Sequence, residues 1–269
     1  MVKKLYKHEF LAWLRIVPFI FGITLITAAF HRVLQLFETD SVYYGIVNVS
    51  AIVLYFVSLV VCLATPVVFG IVRFYKNLFT GEGYLTFTLP VKTTTHLNVK
   101  VITTAVFSVA AFVVCFLSAL IITAGDVFTE LWKAFLYLWK MIPVEDSRHI
   151  LGYAAEFCVL MLVAVFATIL LYNACLCIGQ LAKKNRILLA VGAYFIYYFI
   201  TQVFGTIFVI VFTILESTNA LAKIYSFILG HVWLSGHLGF AIAIVLYVLL
   251  GFVFWLICRY ILRKKLNLE

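Results

Sequence analysis

The sequence predicts an all-α integral membrane protein with six transmembrane helices and an N-terminal interfacial helix. Three observations point to the membrane class. Hydrophobic residues make up 65% of the 269 and charged residues only 12%, where soluble domains run near about 45–50% and about 25%. Six apolar segments are long enough to cross a bilayer. Basic residues crowd onto one side of those segments. A chain of this size cannot bury so much apolar surface in one water-soluble core. The composition therefore excludes an ordinary soluble enzyme, a disordered chain and a secreted disulfide scaffold.

The N-terminal segment 1–15 interleaves Leu5, Phe10, Leu11, Trp13 and Leu14 with Lys3, Lys4, Lys7, His8 and Glu9. Tyr6, Phe10, Trp13 and Leu14 recur at helical spacing as one apolar stripe. This is the pattern of an amphipathic helix lying in the interface, its lysines reaching lipid phosphates. The simpler alternative is a positive flank of the first span. No apolar run precedes Ile16 and no small-residue cleavage site follows the first span, so no cleavable signal peptide is expected.

The spans lie near 16–34, 44–72, 101–124, 150–178, 187–215 and 238–258, and the hydrocarbon layer demands about 20 apolar residues per span. Together with 1–15 they make 1–269 a single transmembrane domain. Strand alternation is absent, and lipid offers no partner to an open backbone, so the spans must be helices. Pro66 lies well inside the second span and should kink it. Pro18 stands near the start of the first, where proline is tolerated.

Two further segments are ambiguous. In 127–142, Phe128, Leu131, Trp132, Phe135, Leu138, Trp139 and Ile142 form one stripe, while Glu130, Lys133 and Lys140 interrupt it. Charges in mid-bilayer are costly, and an outer interfacial helix fits better than a seventh span. Residues 220–234 are apolar but short, and read as a re-entrant helix, an interfacial helix or an outer loop.

Charge asymmetry orients the chain. Fifteen of the 20 basic residues fall on one side. They are Lys3, Lys4, Lys7 and Arg15, then Arg73, Lys76, Lys92 and Lys100, then Lys183, Lys184 and Arg186, and finally Arg259, Arg263, Lys264 and Lys265. Acids show the reverse bias, with Glu38, Asp40, Asp126, Glu130, Glu145, Asp146 and Glu216 opposite. Both termini are thus expected in the cytoplasm. The basic balance gives no reason to invoke nucleic acid.

Catalytic signatures are missing. There is no GxxxxGK[ST], HExxH, GxSxG or GxGxxG, so no enzyme activity and no cofactor or metal is expected in this chain. The six cysteines, Cys62, Cys115, Cys158, Cys175, Cys177 and Cys258, fall in spans and read as small hydrophobes. His8, His31, His96, His149, His231 and His237 are scattered and read as interface residues. Glu156 is the one acid near a span interior; it is either a functional intramembrane group or wet. Asn173, Gln180, Thr201 and Gln202 either join helices by hydrogen bonds or line a polar path. Tyr194, Phe195, Tyr197, Tyr198, Phe199, Phe204 and Phe208 make an aromatic zone suited to lipid, to packing or to an apolar substrate. Glu156, Asn173, Tyr197 and Gln202 are the candidates for a translocation path.

The connection from Arg73 to Lys100 reads RFYKNLFTGEGYLTFTLPVKTTTHLNVK. It is too long for a tight helix connection. Gly81 and Gly83 flank Glu82 and mark a turn, and Pro90 marks another break. Phe74, Tyr75, Phe79, Tyr84 and Phe87 place large aromatic groups there, either as a partner surface or folded along the interface.

The stretch RFYKNLFTGEGYLTFTLPVK, with KKLYKHEF ahead of a first span, resembles permease subunits of bacterial ABC exporters. The similarity is to Gram-positive peptide export systems of the lantibiotic and phenol-soluble modulin type. It covers the whole chain in topology and about 73–92 in local motif. The resemblance implies one half of a permease dimer in the bacterial plasma membrane, paired with a second copy of this chain or with a different permease. Two copies of a separate ATPase, carrying ATP and Mg, would serve it. The resemblance alone adds a cytoplasmic coupling helix docked on that ATPase, to which Phe79, Thr80, Glu82, Tyr84 and Phe87 would belong. The cargo implied is a peptide or other amphipathic substrate moved outward between the two permease copies. A secondary transporter or channel and a non-catalytic membrane scaffold are the alternatives.

Overall fold

The computed structural model describes residues 2–37, 39–83, 88, 91–182, 184–217, 222, 226, 228 and 230–264. Every ordered element among them is helical: α1 (Val2–Leu14), α2 (Val17–Gln35), α3 (Val42–Phe79), α4 (Thr93–Thr123), α5 (Asp126–Met141), α6 (Val144–Gly179), α7 (Arg186–Ser217) and α8 (Val232–Lys264). Six helical stretches are long and apolar enough to cross a membrane: Val2–Gln35, Val42–Phe79, Thr93–Thr123, Asp146–Gly179, Arg186–Glu216 and Val232–Lys264. The chain is a multi-pass membrane protein of the class its composition predicts.

The helices outrun their apolar cores. At 38 residues, α3 is about 57 Å long, against a hydrocarbon layer of about 30 Å. It passes through Pro66 without interruption. Its last two turns and the first two of α4 take up most of the expected 73–100 connection, which shortens to 80–92. Phe74 and Leu78, 1% and 0% exposed, are the reason. They are packed inside, so the helical turns that carry them persist.

Packing concentrates in two compact units, Met1–Pro143 and Val144–Glu269. In the first, α1 ends where Ile16 N–H donates to Trp13 O, and α2 restarts with Pro18 in its first turn. Trp13, Val17 and Phe107 form a buried cluster flanked by Phe21 and Phe69. Trp13 stacks on Phe107 and meets Phe69 edge-on, each at 4.9 Å. The expected stripe of α1 is only partly used. Trp13 is buried, but Phe10 and Leu14 are exposed, and Glu9 takes the second inward place. Further along, the Thr27 and Ser58 hydroxyls lie 2.9 Å apart and join α2 to α3. The Tyr55 and Ser118 hydroxyls, 3.0 Å apart, join α3 to α4. Such bonds replace the hydrophobic drive that lipid cannot supply between helices.

The 127–142 segment forms α5, which at 16 residues spans about 24 Å. Phe128, Trp132, Phe135 and Trp139 stack in sequence along it. Its apolar side chains Leu131, Trp132, Phe135 and Leu138 are exposed.

In the second unit α6 and α8 run side by side in the same direction. His149 meets His237 near their starts, Ala167 lies against Gly251, and Cys177 touches Cys258 near their ends. Between α6 and α7 the chain turns at Asn185, whose φ of 56° is left-handed. Gly179 permits the return: a Cβ there would meet Arg186 O at 2.5 Å and the Ala190 Cβ at 2.7 Å. Most of the aromatic zone on α7 faces away from the unit, with Phe195, Tyr198, Phe199, Phe204 and Phe208 exposed. Of the 220–234 segment, only 222, 226, 228 and 230–234 are described; Val232 to Leu234 already belong to α8.

Candidate functional sites

Two polar centres are built into the fold, one in each unit. The first gathers Glu9 of α1, Arg73 of α3 and Lys100 of α4. On α1, Glu9 precedes Trp13 by four residues. On α3, Arg73 follows Phe69 by four. On α4, Lys100 precedes Phe107 by seven. Each helix therefore carries one member of the aromatic cluster and one charged residue on the same face. Packing Trp13 against Phe69 and Phe107 brings the three charges together one layer away.

The carboxylate is gripped from two sides. Arg73 Nε donates to Glu9 Oε1 at 2.8 Å and Nη2 to Oε2 at 2.9 Å. Lys100 Nζ donates to Oε1 at 3.3 Å. The forked guanidinium matches a carboxylate bidentately and resists rotation. The Glu9, Lys100 and Arg73 side chains are 7%, 8% and 19% exposed, so water screens little of this. Arg73 also lies over the Phe69 ring at 5.8 Å. His96, 2% exposed, sits one turn before Lys100. This centre has the chemistry of a clamp. It joins α1 to the end of α3 and the start of α4, the two helices that bracket 80–92.

The expected coupling residues are placed as follows. Phe79 is 6% exposed and packs edge-on against Phe74 and Tyr75. Thr80 is exposed and caps α3, its hydroxyl donating to Lys76 O at 2.5 Å. Glu82 is exposed. Gly83 N–H donates to Thr80 O at 2.7 Å, closing a turn. Tyr84 and Phe87 lie outside the described residues.

The second centre joins α6 to α8. His149, Tyr153 and Glu156 follow one another at four and three residues, one face of α6. His149 Nδ1 lies 3.1 Å from His237 Nε2, and His237 Nδ1 lies 2.7 Å from Glu156 Oε1. Glu156 Oε2 is buried with no hydrogen-bond partner among the described residues. The rings are held by their surroundings. His149 stacks on Trp233 at 5.1 Å, and Tyr153 packs against His237 at 4.4 Å. The Tyr153 hydroxyl donates to Trp233 O at 2.8 Å. Two glycines permit the approach. A Cβ on Gly152 would meet His237 Cε1 at 3.0 Å, and one on Gly236 would run into the Tyr153 hydroxyl.

The other path candidates do not join this centre. Asn173 is buried, 17 residues or about 26 Å further along α6. Tyr197 is half-buried and meets Phe254 edge-on, and Gln202 is exposed on α7. At the end of α8, Leu256, Arg259, Tyr260, Arg263 and Lys264 line an open hollow of about 380 Å³. Among the described residues no three His, Cys, Asp or Glu side chains are placed to hold a metal ion.

Neither centre follows from spacing between helices, because each is assembled across elements far apart in the chain. Each nevertheless leaves a local trace. Glu9 is the lone acid in a basic helix and stands one turn from its only buried aromatic. His149 and Glu156 are seven positions apart, or two helical turns. In comparisons with known proteins, no family model matches the chain, and no curated protein or solved structure matches it.

Proposed function

We propose that the chain is the transmembrane subunit of an ATP-driven exporter that moves a peptide or amphipathic substrate out of the cell. One observation carries the reading most directly. The buried Glu9–Arg73–Lys100 clamp joins α1 to the two helices that lead into and out of 80–92. A push on 80–92 is thereby delivered to three helices at once. The resemblance of 73–92 and of the N-terminal segment to ABC exporter permeases supports the same reading.

In this proposal α1 lies in the cytoplasmic interface and 80–92 docks on a separate ATPase, present in two copies and carrying ATP and Mg. Glu82 and Thr80, both exposed, supply polar contacts at the docking surface; Tyr84 and Phe87, which follow in sequence, are assigned to it by the resemblance alone. Phe79 is buried, and its part is to anchor the segment on α3. Both termini face the cytoplasm of a bacterial cell, α5 lies in the outer interface, and a second permease copy, identical in the simplest case, completes the path.

Affinity purification of the full chain from detergent tests this. An ATP-hydrolysing subunit should co-purify, and Glu82→Lys should lower substrate-stimulated hydrolysis several-fold. Purification without any ATPase, or stimulation unchanged by E82K, rejects the proposal. A secondary transporter is the second reading, favoured by Glu156 if that carboxylate lies within the membrane. It expects transport in proteoliposomes made from this chain alone.

A further inference from the structure

We propose that His149, His237 and Glu156 form a proton-uptake relay, in which a proton received at His149 Nε2 is handed through His237 to the Glu156 carboxylate. The inference stands on the geometry of the second unit and does not depend on the identity of the transported substrate.

Donor and acceptor inventory sets the direction. An ionised carboxylate only accepts, so the 2.7 Å contact requires His237 Nδ1–H to donate to Glu156 Oε1. A neutral imidazole with its proton on Nδ1 must present a lone pair at Nε2. His149 Nδ1–H then donates to His237 Nε2 across 3.1 Å. This leaves the lone pair of His149 at Nε2 as the end of the series among the described residues. With both imidazoles neutral and the carboxylate ionised, each bond in the series sets the next, and the three groups together carry one negative charge.

Proton uptake proceeds without any other reactant. A hydronium ion gives its proton to His149 Nε2 and leaves as water. His149 releases its Nδ1 proton to His237 Nε2, and His237 releases its Nδ1 proton to Glu156 Oε1. Each imidazole gains one N–H bond and loses one, and the carboxylate gains an O–H bond. The net charge of the three groups goes from −1 to 0. Glu156 Oε2 makes no hydrogen bond among the described residues, so the carboxylate carries a charge that the surrounding fold answers at one oxygen only. Neutralising it removes an incompletely satisfied ion.

The surroundings are built for a fixed chain of bonds. Trp233 lies nearly parallel to the His149 ring, at an interplanar angle of 10°, and Tyr153 covers His237. Among the described residues, the titratable groups in contact with the relay are its own members His149 and Glu156 from α6 and His237 from α8, with Tyr153 from α6 packed on His237. From α7, no charged side chain is paired with any of them among the described residues. Tyr153 is committed elsewhere, since its hydroxyl donates to Trp233 O.

The test uses the purified full chain in lipid nanodiscs and two measurements. After a pH drop, infrared difference spectroscopy should show a carboxylic acid band, absent from Glu156→Gln, and His149→Gln should slow its appearance about tenfold or more. Equal rates in H149Q and the unsubstituted chain would mean that water reaches Glu156 directly, and would overturn the relay. The second measurement needs no substitution. Nitrogen-15 spectra of the histidines should show His149 and His237 exchanging tautomers in the same transition as the carboxyl band. Separate transitions for the three groups would equally reject the proposal.

Discussion

The two units each set one carboxylate against two nitrogen bases, and they do so with opposite chemistry. In the first, Glu9 is held by a guanidinium and an ammonium. In the second, Glu156 is held through one imidazole that is itself bonded to another. The first centre is an ion cluster that ties α1 to α3 and α4. An imidazole can both donate and accept a hydrogen bond, so the second centre is a chain of bonds along which the proposed relay would pass a proton. Burial follows the same division. Glu9 is 7% exposed, against 31% for the Glu156 side chain. A clamp benefits from excluding water.

The same substitution made at both centres is the sharpest way to break this comparison. Glu9→Gln leaves two cations in a nearly dry site with one neutral acceptor. Losing one partner of a buried ion pair costs about 3–5 kcal/mol, and E9Q should fall in that range when unfolding is followed in mixed micelles. Adding Lys100→Met should recover part of the loss. A cost below about 1 kcal/mol would show that the cluster is not structural.

Gly236→Ala comes next. The new methyl group would displace the Tyr153 ring and break its bond to Trp233 O. Overpacking of this kind costs about 1–3 kcal/mol, and the pH response of the relay should change with it, as read by hydrogen exchange at the starts of α6 and α8. Glu156→Gln should cost less, about 1 kcal/mol, because the amide oxygen still accepts from His237 Nδ1–H. It should nevertheless abolish the dependence of that hydrogen exchange on pH. A large stability loss in E156Q with the pH dependence retained would reverse the roles assigned to the two centres.

Lys133→Ala sets the lower end of the scale. The Lys133–Glu130 pair on α5 is exposed at both ends, 68% and 72%. Exposed pairs contribute about 0.2–1 kcal/mol, so the change should be within about 0.5 kcal/mol and should vanish in high salt.

Much of the fold is legible residue by residue. The lipid-crossing helices stand out because an uninterrupted run such as Ile46 to Val72 has no other stable home. The amphipathic character of 127–142 is visible because its stripe keeps helical period over four turns. The reach of α3 beyond its apolar run is not visible, since Arg73 and Lys76 read locally as a solvated flank. Arg73 is helical and partly buried because Glu9, 64 residues earlier, neutralises it. His149 and His237 likewise read as unrelated interface residues until α6 and α8 place them 88 positions apart in sequence and 3.1 Å apart in space.

By itself, then, the sequence determined the membrane class, the six helices able to cross and the asymmetry of charge, because each depends on composition or on periodicity within a single segment. Tertiary structure alone decided which charges are shielded and which polar side chains meet. A side chain's electrostatic partners come from other helices. Their arrival depends on packing contacts such as Trp13 on Phe107 and on the space left by Gly152 and Gly236, which no local pattern in the chain reports.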